Sequence, residues 1–91
     1  MSVKIKTRIQ DIPNIWYTAV VGESKVVRSA AYDLSERRLF LRYHKEDQWF
    51  LYENVPSKWW RDFTLAEDKD TFVRQTRKET LKEKSRVLLL I

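Results

Sequence analysis

The 91-residue sequence contains no cysteine, one glycine, two prolines, one methionine and one histidine. The absence of cysteine excludes disulfides, thiolate metal sites and cysteine nucleophiles, and it suits a reducing compartment. Gly22 is the single glycine, so no glycine-rich phosphate loop can form. His44 has no second histidine to join it around a metal, and it falls at a strand end beside a charged turn, as a surface histidine does. No nucleophile–base pairing is visible. Glu46-Asp47 and Glu67-Asp68 are adjacent, turn-like carboxylates rather than a buried acid–base couple. The sequence therefore points to a non-enzymatic protein, with no catalytic residue, cofactor or metal. No apolar run reaches the roughly 20 residues of a membrane span. The opening Met1-Ser2-Val3-Lys4-Ile5-Lys6 lacks the apolar core of a secretory signal. A cytoplasmic protein with no membrane partner is expected.

What is present is apolar and aromatic. Hydrophobic residues make up 43% of the chain, and there are four each of Trp, Tyr and Phe. That is enough for a folded domain with an aromatic core. No repeat, linker or low-complexity tract divides it, so residues 1–91 read as one domain. Its densest stretch is Trp49-Phe50-Leu51-Tyr52-Glu53-Asn54-Val55-Pro56. Successive strand side chains point to opposite sides, so Trp49 to Tyr52 is apolar on both faces and must be covered on both.

The remaining patterns say what covers it. Val3, Ile5, Thr7 and Ile9 alternate with Lys4, Lys6, Arg8 and Gln10, the period of a half-buried strand within residues 3–12. Its cationic outward row suits a protected sheet edge. Residues 15–21 form a second apolar run, and residues 24–33 read as extended. Leu39, Leu41 and Tyr43 share one strand face, while Phe40, Arg42 and His44 share the other. Polar turns at 34–37 and 45–47 join three of these strands into an antiparallel meander. Pro56 suits a helix start. Trp59, Trp60 and Phe63 then form an apolar stripe at helical spacing. Asp70 is the expected N-cap of a second helix carrying Phe72, Val73, Thr76 and Leu81. The expected class is α+β, a small antiparallel meander of about four or five strands with one or two C-terminal helices packed on it. The apolar tail 87–91 should either add a strand or dock on a partner chain.

Residues 21–77 resemble the KTSC family, a short domain found at the C-terminus of some lysyl-tRNA synthetases and as stand-alone bacterial proteins. The resemblance rests on Ser24, Ala31-Tyr32-Asp33, Leu39-x-Leu41-x-Tyr43, Phe50-x-Tyr52, Val55-Pro56, Phe72 and Thr76-Arg77. Phe50 stands where the family has a tyrosine, and Ala31 where it has a glycine. Glu67-Asp68-Lys69-Asp70 replaces a Ser-x-Gly step. The resemblance implies the fold above, with a context that favours RNA.

Charge leads to two functional expectations. The net charge is +5, distributed as +2 over residues 1–22, +2 over 23–44, −2 over 45–69 and +3 over 70–91. Basic arms around an aromatic centre suit a polyanion. The first expectation is therefore binding of RNA or single-stranded nucleic acid, with exposed aromatics stacking on bases and arginines contacting phosphates. Its candidate residues are Arg28, Phe40 and Arg42 on the meander, with Arg74, Arg77 and Lys78 on the second helix. The second is a protein partner or homodimer, contacted by Trp59 and Trp60 and by Leu88 and Leu90 of the tail, since Trp, Tyr and Arg dominate interface hot spots.

Overall fold

Alternating apolar side chains between residues 27 and 52 build the centre of the molecule. The structure is a computed structural model that describes residues 6–8, 11–20, 24–46, 48–81 and 85–90; within 6–8, at Ala19 and within 85–90 only the backbone course is described. Strands β1 (Lys6–Arg8), β2 (Ile15–Ala19), β3 (Val27–Asp33), β4 (Arg38–Tyr43) and β5 (Trp49–Tyr52) precede two helices, α1 (Ser57–Leu65) and α2 (Lys69–Thr76). A last strand, β6 (Ser85–Leu90), follows. The fold is α+β, as expected. The antiparallel meander runs from β2 to β5, and both termini extend it to a six-stranded sheet of order β1-β6-β5-β4-β3-β2.

The meander registers Tyr32 on Leu39 and Leu41 on Phe50, so the expected alternation of β4 holds. β6 lies antiparallel to β5, with Trp49 opposite Val87, and β1 lies parallel to β6, with Lys6 opposite Leu88. The tail therefore adds a strand, the first of its two expected fates. The parallel pairing is possible because nearly the whole chain serves as the crossover between β1 and β6. The cationic segment Lys6–Arg8 does sit on a sheet edge. Residues 3–5, 9–10 and Gly22 lie outside the described residues, as do the side chains of Leu88 and Leu90.

The sheet has a core on each face. Tyr32, Leu39, Leu41, Tyr43, Phe50 and Tyr52 pack under the helices against Trp59, Trp60, Phe63 and Val73. On the reverse face, Ala31, Phe40, Trp49 and Leu51 are covered by Ile12 and Ile15. Both faces of β5 are thus buried, which accounts for its four consecutive large apolar residues.

The connections carry their own chemistry. The buried Asp33 carboxylate accepts from Ser35 N (3.1 Å), Ser35 Oγ (2.7 Å) and the Arg38 guanidinium (2.7 Å), fixing the β3–β4 turn. Arg37 completes that turn at φ 56°, a conformation normally left to glycine. It is held there by a 2.9 Å bond from Val55 N to its carbonyl. Pro56 precedes the first helical residue of α1, with no side-chain cap. The cap of α2 is Asp68, whose carboxylate accepts from Thr71 N at 3.0 Å. Asp70, expected in that role, instead turns away from the helix to the segment before β3. Between the helices the buried Lys69 ammonium donates to Ala66 O at 2.9 Å, a cation at the carbonyl end of α1. Among the described residues, no helix is long and apolar enough to cross a membrane.

Candidate functional site

The residues singled out from the sequence part company in the fold. Phe40 is fully buried beneath Ile12, so it offers no ring face to a base. The alternation that put it on the face opposite Leu39 and Leu41 is correct, but Ile12 and Ile15 cover that face. Trp59 and Trp60 are buried as well, at 4% and 5% exposure. Adjacent helical residues diverge by about 100°, yet both find cover. Trp60 stacks on Tyr32 with centroids 5.7 Å apart, while Trp59 stacks on Phe63 at 5.1 Å and donates from Nε1 to Thr76 Oγ1 at 2.9 Å. Neither tryptophan is an interaction surface.

The basic candidates divide between the two faces. Arg42 is half-buried on the reverse face, in register with Ser29 and Trp49. Arg28 is exposed at a register irregularity in β3. Arg74 is exposed on α2, and Arg77 and Lys78 are exposed just beyond it. They do not form one continuous stripe.

Arg77 and Lys78 belong instead to a cavity of about 640 Å³. Lys25, Lys45 and Glu46 complete its charged lining, and Val26, Leu81, Tyr43 and Tyr52 its apolar and aromatic lining. Four segments make this site. The loop before β3 brings Lys25 and Val26, the end of β4 and the following turn bring Tyr43, Lys45 and Glu46, β5 brings Tyr52, and the chain after α2 brings Arg77, Lys78 and Leu81.

Its walls are pinned by hydrogen bonds. The Asp70 carboxylate accepts from the Ser24 hydroxyl, from Lys25 N at 2.9 Å and from Val26 N at 3.3 Å. Ser24 Oγ in turn accepts from Val27 N at 2.8 Å. His44 N donates to Val26 O at 3.0 Å, tying the same loop to β4. Although partial burial raises the pKa of the Asp70 carboxyl, these hydrogen bonds outweigh it and hold the group below its ordinary value. At neutral pH the clamp is therefore charged.

At the floor, the Tyr43 and Tyr52 hydroxyls are 2.5 Å apart. Burial pushes the Tyr52 hydroxyl well above the ordinary tyrosine range, and the neighbouring Tyr43 adds to the effect. Burial also raises Tyr43, opposed by the Tyr52 hydrogen bond and by the positive charge of Arg77. Both hydroxyls thus keep their protons and remain donors at neutral pH. Among the described lining residues, four cations face a single carboxylate. The arrangement suits an anionic, acceptor-rich ligand with an apolar portion. No group of three or more His, Cys, Asp or Glu with metal-binding geometry occurs among the described residues.

Sequence reading found Arg77 and Lys78 but missed the rest of the cavity. Tyr43 and Tyr52 were visible only as motif positions. Lys25 and Lys45 carried no signal, since isolated lysines in polar loops look alike until the chain folds.

The sheet order, the two helices on one face and the spacing of motif residues define an α+β fold that is found elsewhere. The family model of the KTSC domain matches residues 23–80. The chain belongs to the KTSC family. Its structure resembles the crystal structure of a KTSC domain protein from Yersinia pestis, with a TM-score of 0.69, 20% sequence identity, and coverage of 80% of this chain and 97% of the other. No curated protein matches the chain.

The family positions fall into two groups in this fold. Tyr32 donates to Val55 O at 2.6 Å, linking β3 to the start of α1, and Asp33 holds the β3–β4 turn. These are architectural. Tyr43, Tyr52 and Arg77 converge on the cavity.

Proposed function

We propose that this KTSC domain is a non-enzymatic cytoplasmic module that binds RNA or another single-stranded nucleic acid at the cavity floored by Tyr43 and Tyr52. The observation that carries this reading is the convergence of Lys25, Lys45, Arg77 and Lys78 around two buried, protonated tyrosines. Phosphates supply the charge and the acceptor oxygens that these donors need. Val26, Leu81 and the tyrosine rings suit the apolar surface of a base. Arg74 is exposed in the last turn of α2, the helix that leads into Arg77 and Lys78. Arg28 and Arg42 take no part in this site.

The reading is tested by fluorescence anisotropy of a labelled single-stranded oligonucleotide, from low to physiological salt. Affinity should fall as salt rises, with a logarithmic slope of about −0.7 for each phosphate neutralised on a single strand. Arg77→Ala and Lys78→Ala should each reduce the slope. Absence of binding at low salt and micromolar protein would sink it.

A protein partner is the weaker alternative, because its two tryptophan anchors lie in the core and the tail already pairs with β5 and β1.

A further inference from the structure

The cavity is more selective than a basic patch. A hydroxyl carries one proton and two lone pairs, whereas Lys and Arg donate only. The Tyr43–Tyr52 pair holds two protons and uses one between its own members. One O–H therefore remains for a third atom, whichever tyrosine donates to the other. If Tyr52 donates, the Tyr43 oxygen accepts that bond and its own proton is the spare one, with Arg77 in the same lining. The floor thus offers a hydroxyl donor beside a guanidinium, and Lys25, Lys45 and Lys78 add ammonium donors along the walls.

A phosphodiester inside a strand presents one negative charge and two free oxygens, and its chain continues in both directions. A terminal phosphate monoester presents a charge near −2 at neutral pH and three free oxygens. It also has only one chain to accommodate. A recess whose floor is two side chains only 8% and 3% exposed admits a chain end more readily than a continuous backbone. Arg77 matches a pair of phosphate oxygens with its planar fork, leaving the third for the hydroxyl. The volume of about 640 Å³ falls among small-ligand sites, which span roughly 300–1,000 Å³, so the nucleoside next to the phosphate also fits.

We infer that this cavity recognises a terminal phosphate monoester of a nucleic-acid strand, held by Arg77 and the Tyr43–Tyr52 hydroxyl pair, with the adjoining nucleoside against Val26 and Leu81. The inference rests on the reading of the cavity as the nucleic-acid site, and it adds what part of the strand enters.

The deciding experiment measures anisotropy of one internally labelled oligonucleotide in three forms: 5′-phosphorylated, 3′-phosphorylated, and with hydroxyls at both ends. One phosphorylated form should bind at least about tenfold more tightly than the hydroxyl form, the size of a single charge-assisted hydrogen bond. The difference between the two phosphorylated forms assigns the end. Replacing both tyrosines (Tyr43→Phe with Tyr52→Phe) should abolish the preference, and so should Arg77→Ala, which leaves the melting curve cooperative; Arg77 is exposed, so its loss leaves the core intact. Equal affinity of the three forms overturns the monoester site and leaves strand binding standing. If no oligonucleotide binds in any of the three forms, strand binding and the strand-end site both fall.

Discussion

On the helix-covered face of the sheet, one aromatic cluster is sealed and another is left open. Trp59 and Trp60 both pack on Phe63, Trp60 also on Tyr32, and Trp59 and Phe63 on Phe72, with ring centroids 5.1 to 6.3 Å apart. Tyr43 and Tyr52 are just as buried but form the floor of a cavity lined with cations. Aromatic density is similar in the two regions. The difference lies in hydroxyls and charge. In the sealed cluster Trp59 donates to Thr76 and Tyr32 to the Val55 carbonyl, whereas the tyrosine pair keeps a spare donor. An aromatic-rich sequence thus marks a core by default, and a ligand site only where polar donors stay unspent.

The sharpest way to break this comparison is at its sealed side. Trp60→Ala should cost about 3–5 kcal/mol, the usual range for a buried large aromatic cut to alanine, read from the urea midpoint. A cost under about 1 kcal/mol would show that the stack on Tyr32 does not hold α1 to the sheet.

The clamp between the two regions comes next. Asp70→Asn weakens three hydrogen bonds to the Ser24–Val26 loop and should cost about 1–3 kcal/mol. Because the folded carboxyl lies below its ordinary value, its stabilisation is present above the unfolded value near pH 4 and is lost as pH falls through the folded value. Asp33 acts with the same sign: burial raises its carboxyl, but the bonds from Arg38, Ser35 and Glu36 outweigh it. Wild-type stability should therefore decline below about pH 4, and Asp70→Asn should flatten part of that decline. An identical pH profile in the variant would remove Asp70 from the clamp.

At the open side the effects on stability should be smaller. Tyr52→Phe deletes one buried hydroxyl hydrogen bond and should cost about 1 kcal/mol. Arg77→Ala should change stability by no more than about 0.5 kcal/mol, as exposed substitutions do, while weakening oligonucleotide binding about tenfold through loss of a charged contact. If Arg77→Ala unfolds the protein instead, the open region is a structural one and the comparison collapses.

How much of this was legible without coordinates varies by residue. The meander, the two helices and the burial of β5 on both faces follow from period-two and helical spacing, and the structure has them. Asp70 misled because Asp68 and Asp70 are both plausible caps by sequence, and only the distance to Ser24 distinguishes them. Phe40 misled for a related reason. Alternation assigns a side chain to a face, but whether that face meets solvent depends on chain arriving from elsewhere, here Ile12.

The sequence by itself determined the class of fold, the order of the meander and of the helices after it, and the family, because these depend on local periodicity and on motif residues in fixed order; it left open whether the tail adds the last strand. It also established the basic balance and the absence of cysteine and of a glycine loop. Only the tertiary structure decided where that charge acts. Lys25, Tyr43 and Arg77 are 18 and 34 positions apart along the chain, and nothing local ties them together. They meet because Asp70 draws the Ser24 loop onto α2 while β4 carries Tyr43 beneath both. Convergence of this kind is a property of packing, and packing is set by contacts that no stretch of sequence contains alone.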